Sequence, residues 1–213
     1  MHHRMELIMP HIAKEKIAKT VESIMAPFWE DNESNYSFFD YYEIGGRYSG
    51  DKIVDSIDPD QLKQFFKELN DRKVTVSSVV FGKETLMPEI QAPMVDAVWR
   101  EMFPGKGNIC PLFSHSGQGQ SEADICTLKD LPTETKAGCV LIAGSYKDKK
   151  PEAVYLVHKM TWNGVSWINS FWDGKVRTAL DAWISEVKTY SDDYKKAMTP
   201  TDDWLVITID YHS

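Results

Sequence analysis

The sequence predicts an α+β fold: an antiparallel sheet with helices packed on one face and an irregular insertion around residues 104–136, all within a single domain spanning 1–213. Three observations carry that prediction. Runs of strand composition at residues 139–145, 153–159 and 165–172 follow one another with only turn segments between them, the pattern of an antiparallel meander. Amphipathic stretches at helical spacing precede and follow those runs instead of alternating with them, which argues against a doubly wound parallel sheet. A content of 42% hydrophobic and 26% charged residues over 213 positions is enough to bury a substantial core and excludes wholesale disorder.

Residues 6–9 read as a short strand ended by Pro10, after which Ile17, Val21, Ile24 and Met25 recur at helical spacing until Pro27 stops the pattern. Asp58-Pro59-Asp60-Gln61 combines a capping acid, a proline at the first helical position and a glutamine placed to close a capping box. Leu62, Phe65, Phe66 and Leu69 then share one face of that helix. β-Branched residues mark a strand over 74–81, and Val95, Val98, Trp99 and Met102 a helix over 92–103 closed by Pro104-Gly105. The following Gly-, Ser- and Pro-rich stretch is read as an insertion into the core. Beyond the meander, Asp173 is placed to cap a helix whose stripe is Val176, Leu180, Trp183, Ile184 and Val187. Residues 204–210 form a last strand with Leu205, Ile207 and Ile209 on one side.

A net charge of -8 argues against broad attraction to nucleic acid or to anionic lipid. The charge is segregated: within residues 28–60, nine acids (Glu30, Asp31, Glu33, Asp40, Glu43, Asp51, Asp55, Asp58, Asp60) stand against Arg47 and Lys52, a net of -7. Such a segment is either a solvated acidic surface or a docking face for a basic partner. No apolar run reaches the length of a membrane span and no signal peptide is recognised, so the expected location is cytoplasmic. His2 and His3 read as a leader remnant with Met5 as the natural start, so residues 1–4 are given no role. Cys110, Cys126 and Cys139 are too few and odd in number for a disulfide framework. With His115 they would make a Cys₃His set suited to zinc, but intervals of four, ten and twelve residues match no paired-ligand spacing, so neither metal nor cofactor is expected.

The strongest chemical signal is Asp40-Tyr41-Tyr42-Glu43-Ile44-Gly45-Gly46-Arg47-Tyr48-Ser49-Gly50. Two glycines allow positive φ and close backbone approach, so their amides can face an anion while Arg47 supplies a fork of donors for phosphate or carboxylate. Tyr41, Tyr42 and Tyr48 add flat surfaces on which a base could stack. The expected ligand-binding set is therefore Tyr41, Tyr42, Gly45, Gly46, Arg47 and Tyr48. The competing reading is a tight turn with Arg47 stacked on a tyrosine for stability alone. The run has neither the Gly-Lys-Ser/Thr of a Walker loop nor the spacing of a dinucleotide fingerprint.

That run, the closing Ile209-Asp210-Tyr211-His212 and the strand-rich part ending in Trp204 resemble a family of uncharacterised bacterial and phage-associated proteins. Their pattern reads roughly Asp-Trp-Tyr-x-Ile-Gly-Gly-Arg-Trp-x-Gly near the start and Val-Asp-Cys-His at the end. The resemblance is loose over most of the chain and tight over residues 40–50. Tyr41 and Tyr48 stand where the family has tryptophan and Tyr211 where it has cysteine, so an aromatic platform survives and thiol chemistry at that end does not. The resemblance implies a phage or mobile-element origin and an interaction with host machinery.

Asp210 and His212 lie two apart on an extended segment, so they share a face, and an aspartate can fix an imidazole's tautomer for proton transfer. Two functions follow as expectations. The first is a non-enzymatic counter-defence protein that binds a host protein or nucleoprotein with a basic surface, or a small nucleotide-like ligand, with no direct contact to nucleic acid or membrane. The alternative is a phosphoesterase-type enzyme in which Arg47 stabilises charge and His212 is an acid or base oriented by Asp210, which requires the two motifs to meet in one cleft.

Overall fold

The structure is a computed structural model that describes residues 2–30, 37–74, 76–80, 83–86, 92–114, 121–145, 152–158, 161–162, 165–166 and 172–213. Strand β1 is His2–Met9, and after a 3-10 turn helix α1 covers Ile17–Met25. A second 3-10 turn at Ala26–Phe28, with Pro27 inside it, ends α1 where the sequence signal ends. Strand β2 (Tyr41–Ile44) leads through a 3-10 turn at Gly46–Tyr48 into α2 (Asp51–Asp55) and α3 (Pro59–Asp71). The carboxylate of Asp58 accepts from the amides of Asp60 and Gln61, so α3 starts where the capping signal placed it. Next come β3 (Val76–Val80), β4 (Lys83–Leu86), α4 (Ala92–Met102), β5 (Phe113–Ser114) and β6 (Ile125–Thr127). The chain ends with β7 (Cys139–Gly144), β8 (Glu152–His158), β9 (Thr161–Trp162), β10 (Val165–Ser166), α5 (Val176–Val187), α6 (Asp192–Met198) and β11 (Leu205–His212).

The main sheet has the order β2-β11-β1-β7-β8, with β6 pairing the other end of β11. All pairings are antiparallel except β1 with β7. The α+β class therefore stands, but two details differ from the sequence expectation. First, helices cover both faces of the sheet. Met5, Leu7 and Met9 of β1 pack with Leu141, Ile207 and Ile209 against α1, whereas Ile8, Val140, Ile142 and Val206 pack against α5 and α6. The reason lies in the central strands: β7 is buried at every position and β11 at all but its last, so apolar side chains leave both faces and each face needs a cover.

Second, among the described residues only β7 and β8 of the expected meander pair with each other. The remaining edge of β7 is taken by β1, and Val165–Ser166 pairs instead with Thr161–Trp162. Residues 167–171 lie outside the described residues. Helix α5 begins two residues later than expected, with Lys175 at the cap and the Asp173 carboxylate accepting the Lys175 amide at 2.8 Å. The stretch 104–136 is also not a simple insertion. Its latter part supplies β6 to the sheet and a 3-10 turn, Glu122–Asp124, that reaches the Gly45-Gly46 bend. A third apolar cluster, with Phe65, Leu69, Val95, Trp99, Phe103 and Phe113, joins α3 and α4 away from the main sheet. Among the described residues no helix is long and apolar enough to cross a membrane.

Candidate functional site

The site lies on the half of one sheet face that α5 and α6 leave uncovered, and strand register assembles it. Arg4, Asp210 and Glu43 are aligned across β1, β11 and β2, and the adjacent row on that face is His2, His212 and Tyr41. On the other side of Arg4, Glu6 faces Thr208. Side chains alternate between the faces of a strand, so these residues share one surface while Met5, Leu7, Ile209 and Tyr211 enter the opposite core. The result is a polar half-face continuous with the apolar half centred on Ile8, Val140 and Val206.

The deepest part is an ion network. Glu6, fully buried, accepts from Arg4 Nε at 2.9 Å and from Thr208 Oγ1 at 3.0 Å, and pairs with Lys52 Nζ at 3.0 Å. Lys52, 3% exposed, also donates to the carbonyls of Asp124 and Val206, so its ammonium protons are all engaged. Arg4 continues outward to Asp55 at 2.8 Å and Asp51 at 3.6 Å. Burial by itself raises a carboxyl's pKa, yet the Lys52 ammonium and the Arg4 guanidinium hold Glu6 below its ordinary range. At Asp55 burial wins over Arg4 and its carboxyl is raised. Arg4, which the sequence reading set aside with the leader, is thus a central charge of the sheet.

The Gly45-Gly46 bend sits at the edge of this network. Gly45 has φ +75° and Gly46 φ +51°, and a Cβ at either position would run into a carboxylate of the same chain, Asp124 at Gly45 and Asp210 at Gly46. Several amides in and beside the bend have partners within the chain. Gly45 N–H donates to the Thr208 carbonyl at 2.8 Å and Arg47 N–H to Asp210 Oδ2 at 3.0 Å, while Gly50 N–H donates to Asp124 Oδ1 at 2.7 Å. Asp124, 1% exposed, also receives Ser49 Oγ at 2.7 Å and the Ser121 amide at 3.0 Å. Burial raises the Asp124 carboxyl, with these donors pulling the other way. Two internal aspartates thus lie against the amides of Arg47 and Gly50. The side chain of Arg47 is exposed.

The C-terminal pair also differs in its partners. Asp210 and His212 do share a face, but Asp210 Oδ1 bonds His2 Nδ1 at 2.8 Å, and His212 Nδ1 bonds Asp40 Oδ1 at 2.7 Å. The outcome is two aspartate-imidazole pairs whose rings meet edge to face at 5.1 Å between centroids. The imidazole pulls the exposed Asp40 carboxyl below its ordinary range through that hydrogen bond. Tyr48 donates its hydroxyl to the His2 carbonyl at 2.9 Å, and burial together with Asp210 pushes its phenol up to about 12. Tyr41 and Tyr42 point to opposite sides of β2: Tyr41 is exposed and donates to Glu43 at 3.0 Å, whereas Tyr42 packs edge to face on Phe39. Arg47, Tyr41, Tyr48, Asp210 and His212 are brought together, and Tyr42 is turned away from them. The three thiols go to three different clusters, Cys139 with α1, Cys126 beside α5 and Cys110 with α4, and His115 lies outside the described residues.

His2, Arg4, Glu6, Asp40, Lys52 and Asp124 were missing from the predicted set. A signal existed for Glu6, a lone charge inside the apolar run Met5-Glu6-Leu7-Ile8-Met9. Lys52 and Asp124 carry no such mark, because each meets its partner only through the fold.

Comparison with protein-family models, with curated proteins and with solved structures found no match for this chain. The fold and site define an α+β protein with a polar half-face at one edge of its sheet.

Proposed function

We propose that this protein is a binder of a basic partner, acting through the acidic edge of its sheet. In the phage setting implied by the sequence resemblance, the partner is a host protein or nucleoprotein with a basic surface, met in the host cytoplasm, and the role is counter-defence. The observation that carries the reading is the uneven charge around β2. Glu22, Glu30, Asp40 and Glu43 are all exposed there, with Lys19 and Arg47 as the nearby cations. Acids consumed internally, Asp51 and Asp55 by Arg4, do not contribute to that surface. Because the amides of Arg47 and Gly50 beside the bend already hold Asp210 and Asp124, the geometry favours a basic partner over a nucleotide-like ligand at the loop. The test compares two triple variants against an arginine-rich probe peptide: Glu30→Gln/Asp40→Asn/Glu43→Gln and, as a control elsewhere, Asp181→Asn/Asp192→Asn/Asp193→Asn. The first is expected to lose roughly tenfold or more in affinity at low salt and the control only a few-fold, with the difference shrinking as salt rises. Equal losses in both variants refute a localised docking face.

A second reading is favoured by the paired imidazoles. Each ring is held through Nδ1 by a carboxylate, which orients it for proton transfer at the other nitrogen, and Arg47 is anchored next to them through its amide. In a phosphoesterase-type reaction one imidazole takes the proton of the attacking water, the other gives a proton to the leaving oxygen, and the guanidinium carries phosphoryl charge. Hydrolysis of bis(p-nitrophenyl) phosphate is the assay. A bell-shaped pH profile abolished by both His2→Asn and His212→Asn supports the reading, and turnover equal to background from pH 5 to 9 ends it.

A further inference from the structure

A groove of about 1020 Å³ runs over the outer edge of β2, lined by Ala18, Lys19, Glu22, Ala26, Trp29, Tyr41 and Tyr42. Tyr41 and Tyr42 are consecutive in a strand and point to opposite faces, so a groove bounded by both crosses the strand edge itself. Trp29 and Tyr41 are among the most exposed large aromatic residues, at 36% and 46%. On the α1 side Ala18 and Ala26 leave space, and Glu22 supplies a carboxylate. β2 ends the order of the main sheet, and among the described residues no strand pairs with its outer edge. Gly45 N–H bonds the Thr208 carbonyl, so by the alternation of an antiparallel ladder the backbone groups of Glu43 and Tyr41 face β11, and those of Tyr42 and Ile44 point away from it along the outer edge, where Tyr42 lines the groove.

We infer that this groove holds a guanidinium or ammonium side chain carried on an extended segment of the basic partner, which lies along the outer edge of β2. The inference rests on the binding function proposed above and names what the partner must present. Indole and phenol faces attract cations, and a neighbouring carboxylate strengthens the preference. Charge decides the sign of the occupant: Lys19 and Glu22 both line the groove and offset one another, and the excess comes from Glu30, Asp40 and Glu43, next to Trp29, Tyr41 and Tyr42 in sequence, so an anionic or nucleobase-phosphate ligand meets net repulsion where an arginine or lysine meets net attraction. The outward amide and carbonyl of Tyr42 and Ile44 give an extended backbone a ladder to join.

The experiment uses the full chain and three peptides of equal length, acetylated and amidated: Thr-Val-Arg-Val-Thr, the same sequence with lysine, and the same with citrulline, which keeps the shape of arginine without its charge. Binding is followed at low salt by the amide and indole N–H shifts of the isotope-labelled protein. Expected are saturable shifts at the Trp29 indole and the Tyr42 and Ile44 amides with the arginine and lysine peptides, at least about fivefold weaker binding of the citrulline peptide, and a similar loss in Trp29→Ala. Because Trp29 packs edge to face on Phe39, Glu22→Gln serves as a second variant that leaves that contact in place. Unchanged affinity in both variants, or citrulline binding as well as arginine, overturns the inference, as does a wild-type protein that binds none of the peptides. If the acidic-triple variant described above still loses affinity for its longer probe in that case, the basic-partner reading survives without the groove. Loss of both signals removes both.

Discussion

Replacing Gly45 by alanine perturbs the bend where local backbone and distant carboxylate meet, and the cost can be divided. An alanine at φ +75° and ψ -70° occupies a region L-residues avoid, a strain of about 1–3 kcal/mol. Its Cβ would also collide with the Asp124 carboxylate, forcing that side chain off the Ser49 hydroxyl and the amides of Gly50 and Ser121. Hydrogen bonds to a buried charged acceptor contribute about 1.5–3 kcal/mol each, and losing two of these three adds about 3–6 kcal/mol. The single variant is thus expected to lose about 4–9 kcal/mol, a large share of the 5–15 kcal/mol typical of a domain. The assay is urea unfolding of wild type, Gly45→Ala, Asp124→Ala and the double variant. With the carboxylate already gone, the alanine has only its backbone strain to add, so the two substitutions should be less than additive by at least about 1.5 kcal/mol, well outside the scatter of independent sites. Strict additivity would mean that Gly45 and Asp124 do not press on one another, and the account of the bend as a clamp for internal carboxylates would be wrong.

Lys52→Met leaves Glu6 charged in a fully buried position and should cost about 3–5 kcal/mol in urea unfolding, with a large part recovered in Lys52→Met/Glu6→Gln; no recovery would argue against the ion network as the cause. Burial, with some help from neighbouring positive groups, lowers the pKa of His3, whose ring lies 5.2 Å from Tyr211. A histidine with a depressed folded pKa contributes stability that is present above its ordinary value near 6.5 and is lost as pH falls below it, so thermal unfolding measured from pH 7.5 to 5 should decline less steeply in His3→Phe than in wild type. The depressed Glu6 carboxyl acts in the same direction at lower pH, contributing stability above its ordinary value of 4.5 that disappears as pH drops through its folded pKa. Burial raises the pKa of all three thiols, most fully at Cys139, so in the folded protein Ellman's reagent at pH 8 should find at most the half-buried Cys126, and slowly; rapid reaction of all three would contradict the packing.

Local signals were legible wherever neighbours in sequence are neighbours in space. The Asp58 cap, the stop at Pro27 and the stripes of α1 and α5 were read correctly because each is a matter of a few adjacent residues. The bend at Gly45-Gly46 was likewise visible as a place where side chains are excluded. What excludes them was not: the clashing atoms belong to Asp124 and Asp210, 79 and 164 positions further along the chain. A glycine pair has the same appearance whether it makes room for a ligand's phosphate or for the protein's own carboxylates. The same limit applies at the C-terminus, where spacing put Asp210 and His212 on one face and suggested that they pair, while cross-strand register gave Asp210 to His2 and left His212 to Asp40.

By itself, then, the amino-acid order determined the class of fold, most of the helices, the acidic character of one segment and the place of the glycine bend. Tertiary structure decided which charges face each other, because β1, from one end of the sequence, lies between β11 and β7 from the other. That insertion brings Arg4 and Glu6 to Lys52, turns a supposed leader into the middle of the sheet and splits the acids into those neutralised inside and those left around β2. Electrostatic partners act over a few ångströms regardless of separation along the chain, so their pairing is a property of the packed sheet and not of local composition.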